Sequence, residues 1–168
     1  MFFNHKKNDT KVADDGSGKI FAVQNGEVVA VTEVNDEVFA QKILGDGIAI
    51  KAESGEIVSP VDGKISSIAD TSHAFGIQTA DGLEILVHIG INTVELNGRG
   101  FKSRVKLNQN VKTGQPLCDV DLSFLTQNKL DTSVIVLITN IGDLAEPPVL
   151  FTGVKAQAGQ TCIMEYRK

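Results

Sequence analysis

Short apolar runs alternate with turn signals along most of the chain. From Lys19 onward the runs are mostly too short for helices, and dipeptides typical of tight turns separate many of them. These dipeptides are Asn25-Gly26, Asp46-Gly47, Asp62-Gly63, Asp81-Gly82 and Asn97-Gly98. The pattern predicts strands at residues 20–23, 27–33, 47–51, 57–58, 64–68, 74–79, 83–89, 103–106, 116–120, 134–139, 150–154 and 161–166. Many short strands at close spacing are typical of an all-β sandwich or barrel.

Helical signals are scarce. Residues 38–43 can form one or two helical turns, and Asp121 is suited to cap a short helix that runs to Lys129 with Leu122 and Leu125 facing the core. Residues 1–18 are polar, so we expect a flexible N-terminal arm followed by one domain at 19–168.

A weak internal repeat lies in the first part of this domain. Residues 20–28 align with residues 57–65, and each segment predicts a strand, an Asn/Asp-Gly turn and a second strand. Two copies indicate a duplicated β-unit rather than a solenoid, which needs about three repeats or more.

Composition excludes several classes of function. The net charge of −5 over 168 residues argues against a nucleic-acid partner. No apolar run reaches the ~18 residues of a membrane span, and the N-terminus lacks the apolar region of a signal peptide. Met1-Phe2-Phe3 followed by two lysines is too short to hold the chain on a membrane by itself. The two cysteines, Cys118 and Cys162, form no metal or disulfide pattern, so we expect free thiols in the cytoplasm.

The candidate chemistry lies in a pair of histidines. His88 interrupts the apolar strand 83–91, and alternation places it opposite the core-facing set Leu83, Ile85, Val87, Ile89 and Ile91. Gly90 lies beside His88 on that outer face, where its small size would permit close approach of a partner or a phosphate.

His73 is in the neighbouring apolar run and would share a face with Phe75 and Ile77. If the two strands pair, both imidazoles converge on one shallow apolar depression. Such a site suits phosphoryl relay, because one unprotonated imidazole attacks phosphorus while a protonated imidazole and a hydroxyl such as Thr71 donate hydrogen bonds to phosphate oxygens. From spacing alone, a hydrogen-bonded structural histidine and a two-histidine fragment of a zinc site stay open as alternatives.

Several blocks of the sequence together resemble one family. The segment 82–94, GLEILVHIGINTV, resembles the active-site signature of the glucose-type enzyme IIA of the bacterial phosphoenolpyruvate-dependent sugar phosphotransferase system. Further similar blocks, in the family's order, are 39–50, 59–65, 71–75 and 95–101. The resemblance covers the chain from about Ile20 to its C-terminus. It implies an antiparallel β-sandwich of the duplicated barrel-sandwich hybrid type with one or two short helices.

The same resemblance implies roles for individual residues. His88 would take a phosphoryl group from the phosphocarrier protein HPr and pass it to a cysteine of a sugar-specific enzyme IIB. His73 would stabilise the phosphate, and Thr71 would belong to the hydrogen-bond network. The implied apolar docking patch with its acidic rim comprises Val38, Phe39, Ile43, Leu44, Leu86 and Val94, with Asp36 and Asp46. No cofactor and no intrinsic metal are implied, although His73 and His88 could ligate zinc at a partner interface.

Asn92 departs from the family pattern, which often has aspartate there. A neutral residue would weaken attraction to a basic partner. The chain has no recognisable IIB or IIC portion, so we expect a free-standing IIA protein, with an excised domain as the alternative. The sugar stays open, since sugar choice belongs to IIB and IIC.

Three other functions compete with that of a phosphoryl carrier. A zinc hydrolase would need a third ligand, and Leu86 and Gly90 occupy the positions of a His-x-His pair. A biotinyl or lipoyl carrier would need a modified lysine at a hairpin tip, and no turn here has the flanking pattern. A regulatory module that binds transporters or kinases according to its phosphorylation state is the main alternative.

Overall fold

The computed structural model describes residues 17–168. Residues 1–16 of the predicted arm (1–18), including the apolar start of the chain, lie outside the described residues. Within 17–168 the strands are β1 Ser17–Phe21, β2 Gly26–Ala30, β3 Asp46–Lys51, β4 Glu56–Val58, β5 Gly63–Ile68, β6 Ala74–Gln78, β7 Glu84–Ile89, β8 Phe101–Ser103, β9 Asn110–Val111, β10 Pro116–Val120, β11 Ser133–Ile138, β12 Val149–Leu150, β13 Lys155–Ala156 and β14 Cys162–Arg167. The helices are α1 Glu37–Ala40 and α2 Leu122–Gln127, with 3-10 turns at Val31–Glu33, Thr93–Leu96 and Ile141–Asp143.

The strands form three antiparallel sheets. The largest has eight strands in the order β13-β2-β3-β11-β7-β6-β5-β9. Two three-stranded sheets, β1-β14-β12 and β4-β10-β8, complete the sandwich. Side chains from all three sheets, such as Ile20, Ile57 and Val87, share one buried core. The all-β sandwich predicted from the sequence is confirmed.

The internal repeat has a structural counterpart. The amide of Phe21 donates to the carbonyl of Pro60 at 2.9 Å, and the amide of Val58 donates to the carbonyl of Val23 at 2.9 Å. In the repeat alignment Phe21 corresponds to Val58 and Val23 corresponds to Pro60. Such reciprocal bonds are the contacts that a local two-fold axis produces, so the two copies pack against each other as equivalent units.

The duplication extends into segments beyond the two aligned stretches. The Asp62 carboxylate accepts a hydrogen bond from the Thr113 amide at 2.7 Å, and the Asn25 side-chain oxygen accepts one from the Ala158 amide at 2.8 Å. These two dipeptides, Asn25-Gly26 and Asp62-Gly63, do not close hairpins. Each instead leads from a strand of a three-stranded sheet into a strand of the eight-stranded sheet. The two strands that flank each dipeptide therefore pair with strands from distant parts of the chain and not with each other.

The predicted elements agree with the structure in most places. Asp36 caps α1, and Asp121 caps α2 by accepting from the Phe124 amide at 3.0 Å, with Leu125 fully buried. β1 begins at Ser17, so residues 17 and 18 belong to a strand and not to the arm. The strand predicted at 103–106 lies at Phe101–Ser103 instead, and the one predicted at 27–33 ends at Ala30 in a 3-10 turn. β9 and β13 were missed because two residues carry no detectable alternation.

A second, smaller apolar cluster covers the outer face of the eight-stranded sheet. All six residues of β11 are buried, so this strand is covered on both faces. On the outer face the segment around α1 provides the cover. The cluster contains Val31, Val34, Phe39, Ala49, Ile91, Ile135 and Leu137, with Val29 and Leu86 packed against it. The candidate site packs against this cluster, since the Phe39 ring contacts His88.

Candidate functional site

His88 lies near the middle of the eight-stranded sheet. Its strand, β7, pairs with β11 on one side and β6 on the other, and His88 is opposite Ile135 and Ala74. Ile85, Val87 and Ile89 point into the main core, whereas Leu86 and His88 are only partly buried on the outer face. The alternation predicted for this strand is therefore correct as far as Ile89.

Alternation fails at the end of the strand. Gly90 has a φ of +73°, a left-handed conformation that redirects the chain. Ile91 consequently joins the outer cluster with Phe39 and not the main core, so its predicted orientation is wrong. The expectation that Gly90 gives a partner or a phosphate close access to His88 is also wrong. Gly90 is buried, and a Cβ there would collide with the Thr93 methyl group and lie 3.0 Å from the Asp131 carbonyl oxygen.

His73 lies just before β6 and follows Ser72, whose φ of +57° is left-handed. Its carbonyl accepts the Ile89 amide at 2.7 Å, which ties the residue to the end of β7. Phe75 and Ile77 are buried in the main core, while the His73 ring lies against His88. The prediction that His73 shares their face is wrong, because β6 begins at Ala74 and its alternation does not extend back to His73.

The two imidazoles meet edge to face. Their ring centroids are 5.1 Å apart with an interplanar angle of 80°. Nδ1 of His88 lies 2.8 Å from the Gly90 carbonyl oxygen, and Nδ1 of His73 lies 2.5 Å from Thr71 Oγ1. Since a carbonyl can only accept, the proton of neutral His88 belongs on Nδ1, and Nε2 keeps its lone pair. When the Thr71 hydroxyl donates to Nδ1 of His73, Nε2 of His73 carries its proton.

Burial keeps both rings neutral. Burial, with a smaller contribution from the charge of neighbouring His73, lowers the pKa of His88 from 6.5 to about 4. The Gly90 carbonyl and the Asp36 carboxylate oppose this shift. Burial also lowers the pKa of His73 below its usual 6.5. At neutral pH His73 therefore offers an N–H donor and not the protonated imidazole considered from the sequence.

The residues expected to form a docking patch divide into two groups. Phe39 is only 5% exposed, and its ring centroid lies 4.9 Å from that of His88. Leu86 is partly buried beside the outer cluster. The exposed members are Val38, Ile43, Leu44 and Val94, at 42%, 65%, 43% and 54%.

The acidic residues of the predicted rim are both engaged. Asp36 accepts the Val38 amide at 2.9 Å, and Asp46 forms an ion pair with Lys42 at 3.5 Å. Ile43, Leu44 and Asp46 also line a surface groove of about 680 Å³ whose other wall includes Ile141, Leu144 and Pro147.

Two further contributors to the site were not identified from the sequence. The carbonyl of Gly90 orients His88, a role that no sequence pattern reveals. Thr93 is fully buried, and its hydroxyl donates to the Ile89 carbonyl at 2.6 Å, which secures the turn after β7. Asn92, exposed and at a φ of +58°, occupies a left-handed conformation that asparagine tolerates well.

Within residues 17–168 no three His, Cys, Asp or Glu side chains cluster in a way that could hold a metal ion. His73 and His88 supply two nitrogen donors, and a zinc ion would need further ligands from elsewhere. No helix in the same range is long and apolar enough to cross a membrane.

The fold and the paired imidazoles define a β-sandwich domain with two adjoining histidines at the outer face of its largest sheet. Comparison with known proteins agrees with this class. The family model of EIIA 1 of the phosphoenolpyruvate-dependent sugar phosphotransferase system matches residues 18–144, and the chain belongs to this family. It is thus a phosphotransferase component, as the sequence blocks predicted.

Relatives and a solved structure support the assignment. The chain is 44% identical over 92% of its length to a glucoside-specific EIICBA component of Staphylococcus carnosus. It is 44% identical over 80% of its length to a glucose-specific EIICBA component of the same organism. The chain spans 22% and 20% of the length of these two curated relatives. The glucose permease IIA from Mycoplasma capricolum matches 89% of the chain, which covers 95% of that protein, with a TM-score of 0.77 and 37% identity.

Proposed function

We propose that Nε2 of His88 accepts a phosphoryl group from a phosphohistidine of HPr and passes it to a cysteine of an enzyme IIB. The observation that carries this proposal is the bond between His88 Nδ1 and the Gly90 carbonyl, 2.8 Å long. It assigns the ring proton to Nδ1 and leaves Nε2 as the nucleophile. The low pKa of His88, about 4, keeps that nitrogen unprotonated at neutral pH.

The transfer proceeds in two displacements. In the first, Nε2 of His88 forms a bond to phosphorus while the nitrogen–phosphorus bond of the donor breaks, and the electron pair of that bond returns to the donor imidazole. In the second, the cysteine thiolate of the acceptor bonds to phosphorus and Nε2 recovers its lone pair. Such transfers need positioning and charge stabilisation more than covalent help from the protein.

His73 and Thr71 supply the charge stabilisation. With Thr71 bonded to Nδ1, Nε2–H of His73 is left to donate to an oxygen of the phosphoryl group on the adjacent His88. Thr71 acts through His73 by fixing its tautomer, so it is a positioning residue. A hydrogen bond to a charged oxygen is stronger than one between neutral groups.

The exposed apolar residues form the docking patch. Val38, Ile43, Leu44 and Val94 present apolar surface for a partner, while Phe39 and Leu86 support it from below. Asp36 and Asp46 provide the negative rim, which favours partners with positive charge around their own phosphorylated residue. The partly exposed histidines within this patch could also complete a zinc site with ligands from a partner.

The cellular context is part of the same proposal. We infer a cytoplasmic domain, since Cys118 and Cys162 are both free thiols.

Residues 1–18 are proposed to be an arm outside the carrier domain of residues 19–168, apart from Ser17 and Gly18, which join β1. The sugar is not assigned, because one relative is named for glucosides and another for glucose.

The test is phosphorylation with phosphoenolpyruvate, enzyme I and HPr, read by intact mass. Wild type and His73→Ala should each gain one acid-labile phosphate, whereas His88→Ala should gain none. Onward transfer to a purified IIB domain should be fast for wild type and slow for His73→Ala. If wild type gains no phosphate from an HPr that phosphorylates another IIA protein, the carrier function is wrong. The alternative, a regulatory module, then becomes the better proposal.

A further inference from the structure

Phe39 is the most buried residue of the proposed docking patch. Val38, Ile43, Leu44 and Val94 are at least 42% exposed, whereas Phe39 is 5% exposed. A side chain this buried offers little surface to a partner. Its contacts are instead with the outer cluster, which includes Val34, Ile91 and Ile135, and with the ring of His88.

The ring of His88 contacts two other rings. The Phe39 centroid lies 4.9 Å away with an interplanar angle of 60°, and the His73 centroid lies 5.1 Å away at 80°. Tilted and edge-to-face arrangements at such distances are favourable for aromatic pairs. Together with the bond from Nδ1 to the Gly90 carbonyl, these contacts restrict rotation of the imidazole and determine where Nε2 points.

Phe39 depends on a short segment that has little stability of its own. Helix α1 is four residues long, and isolated helices of this length do not persist in water. The Asp36 side chain caps it by accepting the Val38 amide at 2.9 Å. Burial of Phe39 in the outer cluster is the main tertiary contact of α1, so the same side chain anchors the segment and touches the nucleophile.

We propose that Phe39 is a positioning residue for phosphoryl transfer, which holds the imidazole of His88 in its reactive orientation and excludes water from it. This inference rests on the proposed role of His88 as nucleophile. It differs from a docking role, because a docking residue changes the affinity for the partner and leaves the imidazole unaffected. A positioning residue changes the imidazole even when no partner is present.

The two roles give different results in the isolated protein. Removing the Phe39 ring admits water, which reduces the burial that lowers the pKa of His88 from 6.5 to about 4. The groups that face His88 from the packed elements are His73, Asp36 and the Gly90 carbonyl, and each of them is retained in a Phe39 variant. A rise in the pKa of His88 therefore reports the loss of the ring itself.

The experiment compares Phe39→Leu and Phe39→Ala with Ile43→Ala. Leucine keeps an apolar anchor for α1 and removes the ring, whereas Ile43 lies in the same segment but is 65% exposed. Circular dichroism and urea unfolding show which variants are folded. NMR titration of the imidazole resonances then gives the His88 pKa, and transfer from phospho-HPr gives kcat and KM.

We expect the His88 pKa to rise by about 1 pH unit in Phe39→Leu and more in Phe39→Ala. In both, kcat at pH 7.5 should fall by about tenfold with little change in KM, because misplacement of a reacting group slows transfer. Ile43→Ala should raise KM and leave the His88 titration as in wild type.

Two results would overturn the inference. One is an unchanged His88 titration in folded Phe39→Leu, and the other is a change in KM alone. The NMR titration needs no phosphoryl donor. It therefore tests whether Phe39 affects the His88 pKa even if wild type accepts no phosphate. Failure of wild type to accept phosphate contradicts the carrier function instead.

Discussion

The rings of His73 and His88 meet edge to face, 5.1 Å apart, and Nδ1 of each is paired with an oxygen two residues away in the sequence. The partner of His73 is the Thr71 hydroxyl, and the partner of His88 is the Gly90 carbonyl. In the proposed mechanism both Nε2 atoms are thereby left for a phosphoryl group, that of His88 as nucleophile and that of His73 as hydrogen-bond donor. This division of roles between two identical side chains leads to the predictions that follow.

The first prediction concerns Thr71. Thr71→Val removes the hydroxyl at nearly constant shape, so the tautomer and orientation of His73 are no longer fixed. We expect His88 to accept phosphate still, with onward transfer to IIB slowed by about tenfold to a hundredfold. Thr71→Ser keeps the hydroxyl and should transfer at nearly the wild-type rate. Rapid-quench measurement of both half-reactions checks this, and equal rates for Val and Ser would contradict it.

The second prediction concerns stability against pH. The folded-state pKa of His88, about 4, is lower than its unfolded value of 6.5, so the unfolded chain binds the proton first as the pH falls. The folded state is thus favoured fully above pH 6.5 and loses this contribution as the pH falls to about 4, by up to about 3 kcal/mol. His88→Gln should lose less stability over the same window. Urea unfolding of both proteins from pH 7.5 to 4 gives the free energy of unfolding at each pH. If it falls equally in wild type and His88→Gln, the low pKa of folded His88 is refuted.

The third prediction concerns Gly90. Gly90→Ala combines a positive φ with a collision against the Thr93 methyl group, so the free energy of unfolding should fall by about 2–4 kcal/mol. Gly153 has a φ of +77°, and a methyl group added there would meet nothing within 4 Å, so Gly153→Ala should cost only about 1 kcal/mol.

The double variant Gly90→Ala/Thr93→Ser isolates the collision. Serine lacks the methyl group and keeps the hydroxyl that donates to Ile89. It should therefore recover part of the stability lost in Gly90→Ala. Urea denaturation of wild type, both single variants and the double variant gives the coupling energy, and a coupling near zero would show that backbone strain alone explains the loss.

The fourth prediction concerns Asn92. Asn92→Asp adds a negative charge near the proposed docking patch, so association with a basic HPr should become a few times faster at low salt. The gain should disappear at high salt because exposed charges are screened. Asn108 is the matched control, since it is also exposed and left-handed, at a φ of +69°, but precedes β9 at the far edge of the eight-stranded sheet. An equal gain from Asn108→Asp would indicate an effect of net charge and not of docking.

The fifth prediction concerns the apolar patch itself. Val94→Asp places a charge on a side chain that is 54% exposed, so KM for phospho-HPr should rise at least about tenfold while the fold stays intact. Leu107→Asp makes the same change at 55% exposure, on the loop before β9. Steady-state transfer assays on both variants test the location of the patch. A larger effect from Leu107→Asp would move the docking surface elsewhere.

The β-sandwich, the duplicated unit, both short helices, the Asp121 cap and the family could all be predicted from the amino-acid sequence. These depend on local signals: alternation over five or six residues, an Asp at one helix start, and motif blocks in a fixed order. Alternation also placed His88 correctly on the outer face of β7, because strand geometry admits only two directions for a side chain.

The assembly of the site, by contrast, depends on tertiary packing. His73 meets His88 from a position just outside β6, where strand alternation does not apply, and Ile91 leaves the main core because Gly90 takes a left-handed conformation. Phe39 lies against His88 although the two residues are 49 positions apart in the sequence. Such contacts arise from the pairing of distant strands and from single backbone turns. Neither produces a periodic pattern in the sequence, so only the packing of the whole sandwich positions the rings that surround His88.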